Sequence, residues 1–339
     1  MMRTDKLIII LFTGLLLGAC SSSDESAGGD DSKNGKKIEL SFSVPDYSMN
    51  VTTSAGTTDS GSPAEQDINN LYVFLFPTTS DQTVVKYYVD AATFTGGTWS
   101  TTDHKVDLDL TQAEAGKRDV YIVANCADLK TSLDAVTTEA GLQAVFRNTP
   151  SPWSDHINVP ILMSGNAIHD FIADGYQLDN VPLVRAIAKV ELNITLSSSF
   201  QTVPTITAGS LTEYKYRYVN FDQNTYVVKP GTKLSVTANS SSNEWPTTTD
   251  WTQWGSSLNV SSAPDTGAGY TLSADGKVTA LKIITYINES DVSGSAIEIE
   301  LPRTDEGPLP PPEFGPEWYK LPLPDKIERN TWYTYDVDL

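Results

Sequence analysis

The chain has 339 residues, 39% of them hydrophobic, and carries 43 acidic against 23 basic side chains, a formal net charge of −20. A surface of that sign repels phosphate backbones and anionic headgroups, which argues against nucleic-acid binding. The length exceeds one ordinary antiparallel sandwich and suits two domains, each able to bury its own core.

Residues 1–20 read as an export signal: Arg3 and Lys6 are followed by the apolar run LIIILFTGLLL and then Leu17-Gly18-Ala19-Cys20. The run is too short for a spanning helix and ends on small residues. The LGAC ending resembles the bacterial lipobox. That resemblance implies cleavage between Ala19 and Cys20 and acylation of Cys20, with palmitate as one of the chains, anchoring the protein to a leaflet without spanning it. Residues 20–37 are poor in apolar side chains and rich in Ser, Gly and Asp, so they read as a flexible acidic tether. They are also similar to the acidic export tags of Bacteroidetes surface lipoproteins. The other cysteine is Cys126, so acylation of Cys20 leaves no intramolecular disulfide and stability rests on packing.

The folded part opens on IELSFSV, with Ile38, Leu40, Phe42 and Val44 on one face of a strand. Pro45 to Asp67 is dominated by Ser, Thr, Gly and Asp and reads as a long loop. NLYVFLF, at 70–76, is apolar on both faces and so belongs in the middle of a sheet. The runs at 84–89, 104–110 and 118–126 continue the strand series. Residues 131–147 space Leu133, Val136, Ala140 and Val145 as a helix does, with Ser132 available as its cap. A short strand is expected at 159–165. LVRAIAKVELNIT, at 183–195, alternates Val184, Ala186, Ala188, Val190, Leu192 and Ile194 with Arg185, Lys189, Glu191, Asn193 and Thr195, the pattern of a half-buried strand. Pro182 just before it places a domain boundary, giving units at 38–182 and 183–339. Further strands are expected at 214–221, 233–238, 277–287 and 295–301. Residues 302–324 hold eight of the nineteen prolines and read as a stiff, extended loop. NTWYTYDVDL then puts Tyr333, Tyr335, Val337 and Leu339 on one face of a last strand. The fold class is all-β, with one short helix in the first unit.

No constellation for catalysis stands out. His104, His156 and His169 lie on separate segments without a second ligand at helical spacing, and nucleophile-elbow, P-loop and dinucleotide motifs are missing. No cofactor or metal is expected. Cys126 ends an apolar strand and reads as a buried, inert thiol. Glu298 and Glu300 read as decoration of a solvent-facing strand, and Asp265 to Asp275 as a glycine-rich loop without calcium-ligand spacing. Trp245, Trp251 and Trp254 crowd one region. They either pack beneath a long loop or form an aromatic platform for stacking on sugar rings.

Taken together, INNLYVFLF, VYIVANC, ILMSG, VPLVRAIAKVEL, TYINES and IERNTWYTYDVDL, in that order across residues 38–339, resemble the fimbrillin family of Bacteroidetes, the type V pilin fimbrial subunits. The resemblance implies two transthyretin-like, Ig-like β-sandwiches in tandem, of about seven strands each. It also implies lipoprotein export to the outer membrane, assembly into a cell-surface fimbria with other subunits or copies of itself, adhesion to a host or bacterial surface ligand, and no enzymatic role. Well-known members are cut by an arginine-specific protease in the loop after the first strand; here no Arg or Lys occurs between Lys37 and Lys86.

That architecture suggests assembly by strand exchange. The first strand, Ile38 to Val44, fills a groove that another subunit's strand takes over, because an emptied sandwich exposes its core and an unpaired edge. Tyr333, Tyr335, Val337 and Leu339 form a candidate donor, and they equally suit a strand that completes the second domain. Two alternatives are a carbohydrate-binding surface lipoprotein and an anchor subunit that keeps its lipid.

Overall fold

The computed structural model describes residues 35–51, 54–80, 82–148, 159–231, 251–255, 267–303 and 316–339. Alternation of apolar and polar side chains builds nearly every element. In the first sandwich one sheet runs, edge to edge, Gln177–Pro182, Lys37–Ser43, Lys105–Thr111, Gly97–Ser100 and Thr93–Phe94. The other runs Val184–Arg185, Met163–Asp170, Lys117–Ala124, Leu71–Pro77 and Val85–Val89. Leu71–Pro77 is central and buried on both faces, as its sequence predicts. Leu71, Val73 and Leu75 enter the core between the sheets, whereas Tyr72, Phe74 and Phe76 pack under a helical cap with Leu129, Leu133 and Leu142.

That cap holds two short helices, Lys130–Asp134 and Glu139–Gln143, where one was expected. Ser132 lies inside the first of them; Thr138 caps the second, accepting from the Gly141 amide. Another short helix, Gln112–Ala115, follows a Thr111/Glu114 capping box.

The second sandwich has a six-stranded sheet in the order Gly267–Leu272, Val278–Asn288, Ile187–Thr195, Thr331–Asp338, Tyr47–Val51 and Ser54–Asp59. It packs on a sheet of Ile206–Thr207, Ser210–Val219, Ala296–Leu301 and Glu317–Pro322, with Thr252–Gly255 also paired to Ser210–Val219. A two-stranded ribbon, Phe146–Asn148 with Asn224–Tyr226, joins the two halves. Most strand pairings among the described residues are antiparallel. The first strand, however, is parallel to Gln177–Pro182, and the terminal strand is parallel to both of its neighbours.

Several expectations are corrected. Residues 45–67 are not a loop: Tyr47–Val51 and Ser54–Asp59 form a hairpin on the terminal strand, followed by the turn of 3-10 helix Pro63–Glu65. The strand expected at 159–165 begins later, at Met163, and runs on to Asp170. Part of the proline-rich stretch, Glu317–Pro322, is an edge strand, where a proline costs no ladder bond. Gly267–Leu272 is likewise a strand within the supposed 265–275 loop. The strand predicted at 233–238 lies outside the described residues.

Trp254 is fully buried, 4.9 Å edge-to-face from Tyr216, and its indole N–H donates to the Lys282 carbonyl at 3.1 Å. Replacing it with alanine should lower the unfolding free energy in guanidinium by about 3–5 kcal/mol, the usual cost of emptying an aromatic core site. A loss below about 1 kcal/mol would place that ring at the surface.

Candidate functional site

Two neighbouring features define the site: a strand held in a groove, and a buried polar clamp just beyond it. The first strand lies between Gln177–Pro182 and Lys105–Thr111, with Ile38, Leu40 and Phe42 buried and Val44 packed against the core. Burying each such side chain is worth roughly 1.5–3 kcal/mol, so a vacated groove is costly. On the outer face Glu39 pairs with Lys105 at 2.5 Å and accepts from Gln177 at 2.9 Å. Burial alone would raise the Glu39 pKa, but these partners outweigh it and leave the carboxyl below its ordinary range.

The clamp begins where the strand ends. Arg185, fully buried, donates to the backbone carbonyls of Pro45 at 2.7 Å, Ser60 at 2.9 Å and Glu65 at 2.9 Å, and to Asn330 Oδ1 at 2.8 Å. Its guanidinium stacks 4.1 Å over the Tyr47 ring. Asn330 returns the grip, its amide donating to the Asp46 carbonyl at 2.6 Å. Beside it Glu65, with no exposed surface, accepts from the hydroxyls of Tyr47 at 3.0 Å and Tyr286 at 2.8 Å and from the Ser62 amide at 2.7 Å. Lys189, itself buried over the Trp332 ring, pairs with Glu65 at 3.2 Å.

Every charge here therefore has a partner, as a buried network requires. Burial pushes the Glu65 pKa up, but the Lys189 charge, the Ser62 amide and the Tyr286 hydroxyl prevail, and the carboxyl sits below its ordinary value of 4.5. Burial and Glu65 drive both tyrosine hydroxyls far upward, so they stay protonated donors. Gly61 must be glycine: its φ is +75°, and a Cβ would lie 2.8 Å from Glu65 Oε2 and 2.9 Å from the Tyr47 ring.

Arg185 and Lys189 were expected on the open face of a half-buried strand. The segment 45–65 covers that face instead, and the two cations became its anchors.

Residues 38–243 match the profile of the major fimbrial subunit protein (FimA), and residues 186–338 match that of the C-terminal part of the minor fimbrium tip subunit MfA4. Over 339 residues, all of both chains, the protein is 54% identical to the minor fimbrium tip subunit MfA4 of Porphyromonas gingivalis. It belongs to the fimbrillin family. This fimbrillin is accordingly a structural and adhesive subunit of a cell-surface fimbria and not an enzyme. Among solved structures, a candidate cell adhesion protein from Bacteroides eggerthii has a TM-score of 0.53 at 16% identity, covering 90% of this chain and 87% of its own. The tip fimbrial protein Mfa3 of P. gingivalis has a TM-score of 0.48 at 13% identity, covering 89% and 94% respectively.

The remaining sequence-predicted residues of this fimbrillin are dispersed. Ala19, Cys20, His156 and Trp245 lie outside the described residues. Tyr333, Tyr335, Val337 and Leu339 line the core side of a strand that pairs with Ile187–Thr195 along its length and with Tyr47–Val51 at Thr331 to Thr334, so here they complete the second sandwich. The aromatic platform is corrected: Trp254 is core, and Trp251 is half-buried, its ring 4.7 Å from Trp318 and 4.7 Å from the Arg217 guanidinium. Trp318, 55% exposed, was missed because it sat in the proline-rich stretch read as a loop. Glu298 and Glu300 are also corrected, since they pair across the sheet with Arg217 and Lys215 instead of facing solvent freely. His104 stacks on Phe42, and His169 bonds the Gly175 carbonyl. Cys126 is buried, its thiol pushed up to about 12 by burial and by Asp128. A shallow cavity of about 380 Å³ along Asn193, Thr195, Gly269 and Lys282 has its main polar groups already taken, Lys282 by Glu191 and Asn193 by Asp336.

A depressed carboxylate pKa supplies stability above its unfolded value that is lost as the pH falls through the folded one. The wild-type protein should therefore lose stability as the pH drops below about 4.5, and Glu65→Gln, less stable at neutral pH, should lose distinctly less over that range. Equal slopes in denaturant titrations at several pH values would show that Glu65 is not the group concerned. Gly61→Ala should destabilise by about 1–3 kcal/mol through the same contacts.

Proposed function

We propose that this fimbrillin is a tip-type accessory subunit, exported as a precursor lipidated at Cys20 to the outer membrane and joined to other fimbrial subunits by strand exchange in its first sandwich. Full-length identity of 54% to a tip subunit supports the position in the fibre. The observation that carries the assembly mode is the first strand itself: three apolar side chains inserted into a core, between Lys105–Thr111, which stays paired to Gly97–Ser100, and the edge strand Gln177–Pro182, which pairs with the first strand alone and would lose its partner if it left. The division into units at 38–182 and 183–339 is part of this reading, with the hairpin 47–59 as the piece of the first unit that docks on the second and Val184–Arg185, split from Ile187–Thr195 within the expected strand 183–195, as the piece of the second that pairs in the first.

The clamp sets a condition on release. The carbonyls of Ser43, Pro45 and Asp46 each accept a hydrogen bond, from the Leu183 amide, Arg185 and Asn330, so the strand cannot swing out on a slack loop. It leaves only after a cut near Val44, and the nearest basic residues, Lys36 and Lys37, lie on its other side. That observation favours a second reading, a subunit that keeps both strand and lipid and ends the fibre as an anchor.

Protein lacking residues 20–46 should form a ladder of oligomers on native gels, and an added peptide of residues 37–44 should collapse the ladder to monomer. Truncated protein that stays folded and monomeric at high concentration would exclude exchange through this groove. Palmitate labelling should disappear in Cys20→Ala; labelling that persists would remove the lipid anchor from the account.

A further inference from the structure

Among the described residues, the terminal strand is only half covered on one side. Ile187–Thr195 pairs with it along its whole length, from Trp332 to Asp338, whereas the hairpin strand Tyr47–Val51 pairs only with Thr331 to Thr334. The hairpin then turns back on itself, Val51 pairing with Ser54. Among the described residues nothing pairs with Tyr335 to Asp338 on that side. Exposure follows the same step: in the core-facing row Tyr333 is 3% exposed, while Tyr335 and Val337 are only partly buried.

The alternation of the backbone says which groups are left over. The Leu339 amide donates to the Thr195 carbonyl at 2.9 Å, so the odd-numbered residues turn their N–H and C=O toward that neighbour. The even-numbered residues of the strand therefore turn theirs to the other side, where the Asn330 carbonyl, just before the strand, accepts from the Ser48 amide of the hairpin at 3.0 Å. Asp336 and Asp338 therefore direct their backbone donors and acceptors into the uncovered edge. Their side chains are exposed on the outer face, Asp336 held by the Asn193 amide at 3.0 Å.

We propose that this edge is a second strand-accepting surface, and that its partner is a short extended segment of a different polypeptide, with apolar side chains alternating with Lys or Arg. The apolar side chains would close over Tyr335 and Val337, and the basic ones would lie beside Asp336 and Asp338, where like charge is disfavoured and opposite charge favoured. A second copy of this chain fits badly. Its first and terminal strands carry Glu39, Ser41 and Ser43, or Asp336 and Asp338, on the corresponding face; the strand that carries Lys215 and Arg217 is already paired on both sides; and the chains repel at a net charge of −20 each. The proposal stands apart from strand exchange in the first sandwich, since it uses neither the first strand nor its groove.

The test uses the full chain with its first strand intact and two capped peptides, acetyl-Val-Lys-Val-Lys-Val-amide and acetyl-Val-Glu-Val-Glu-Val-amide. The lysine peptide should slow hydrogen exchange at the Asp336 and Asp338 amides and bind about tenfold more tightly than the glutamate peptide, given two favourable cross-strand pairs exchanged for two repulsive ones. In the double variant Asp336→Lys/Asp338→Lys the preference should invert, a gain that a misfolded protein cannot show. Equal binding of the two peptides, no protection at those two amides, or an unchanged preference in a variant with a wild-type melting curve would each overturn the proposal.

Discussion

One buried ion pair and the arginine beside it decide how this molecule is put together. Glu65 and Lys189 have almost no exposed surface, and Arg185 has none. Uncompensated charges in such a place cost several kcal/mol each, so the network persists because each of its three charged groups is paired or hydrogen-bonded. The groups it uses come from places far apart in the sequence: carbonyls of Pro45, Asp46 and Ser60, hydroxyls of Tyr47 and Tyr286, and the amide of Asn330. A stretch of small polar residues with little apolar surface of its own is in this way made part of a sheet.

The consequence for function is mechanical. The first strand belongs to one sandwich and the hairpin that follows it to the other, with Val44, Pro45 and Asp46 between them. A chain so tethered separates two demands that a fimbrial subunit faces. The groove strand is held by apolar insertion, which another strand can reproduce; the hairpin is held by specific charge and hydrogen bonding, which a generic strand cannot. Under the proposed strand exchange, loss of the first strand would leave the pairings of the second sandwich's sheet in place.

Much of this was legible in the residues, for physical reasons. Strands with strict alternation, such as Ile38 to Val44 and Leu192 to Ile194, announce their buried face, and the doubly apolar Leu71–Pro77 announces its central place. The order of apolar motifs carried the family. The hairpin was not legible: Ser54 to Asp59 has no apolar alternation, and its pairing depends on a partner about 280 residues away in sequence. For the same reason Arg185 and Lys189 looked like solvent-facing positions, because period-2 reasoning assigns a polar face to water unless something else covers it. The tryptophans failed differently. Composition showed a cluster, but only the fold distinguishes Trp254, filling a core, from Trp318, left on an edge strand.

The central claim is that residues 47–59 are a clamped part of the second sandwich and not a surface loop. Native-state hydrogen exchange followed by mass spectrometry reads this directly, because amides that open only with the whole sheet exchange at the rate of global unfolding. The account predicts that the paired amides of Tyr47–Val51 exchange as slowly as those of Thr331–Thr334, and that Arg185→Ala releases the former while leaving the strands of the first sandwich protected. Fast exchange of the hairpin in the wild-type protein, at the rate of an unstructured segment, would contradict it.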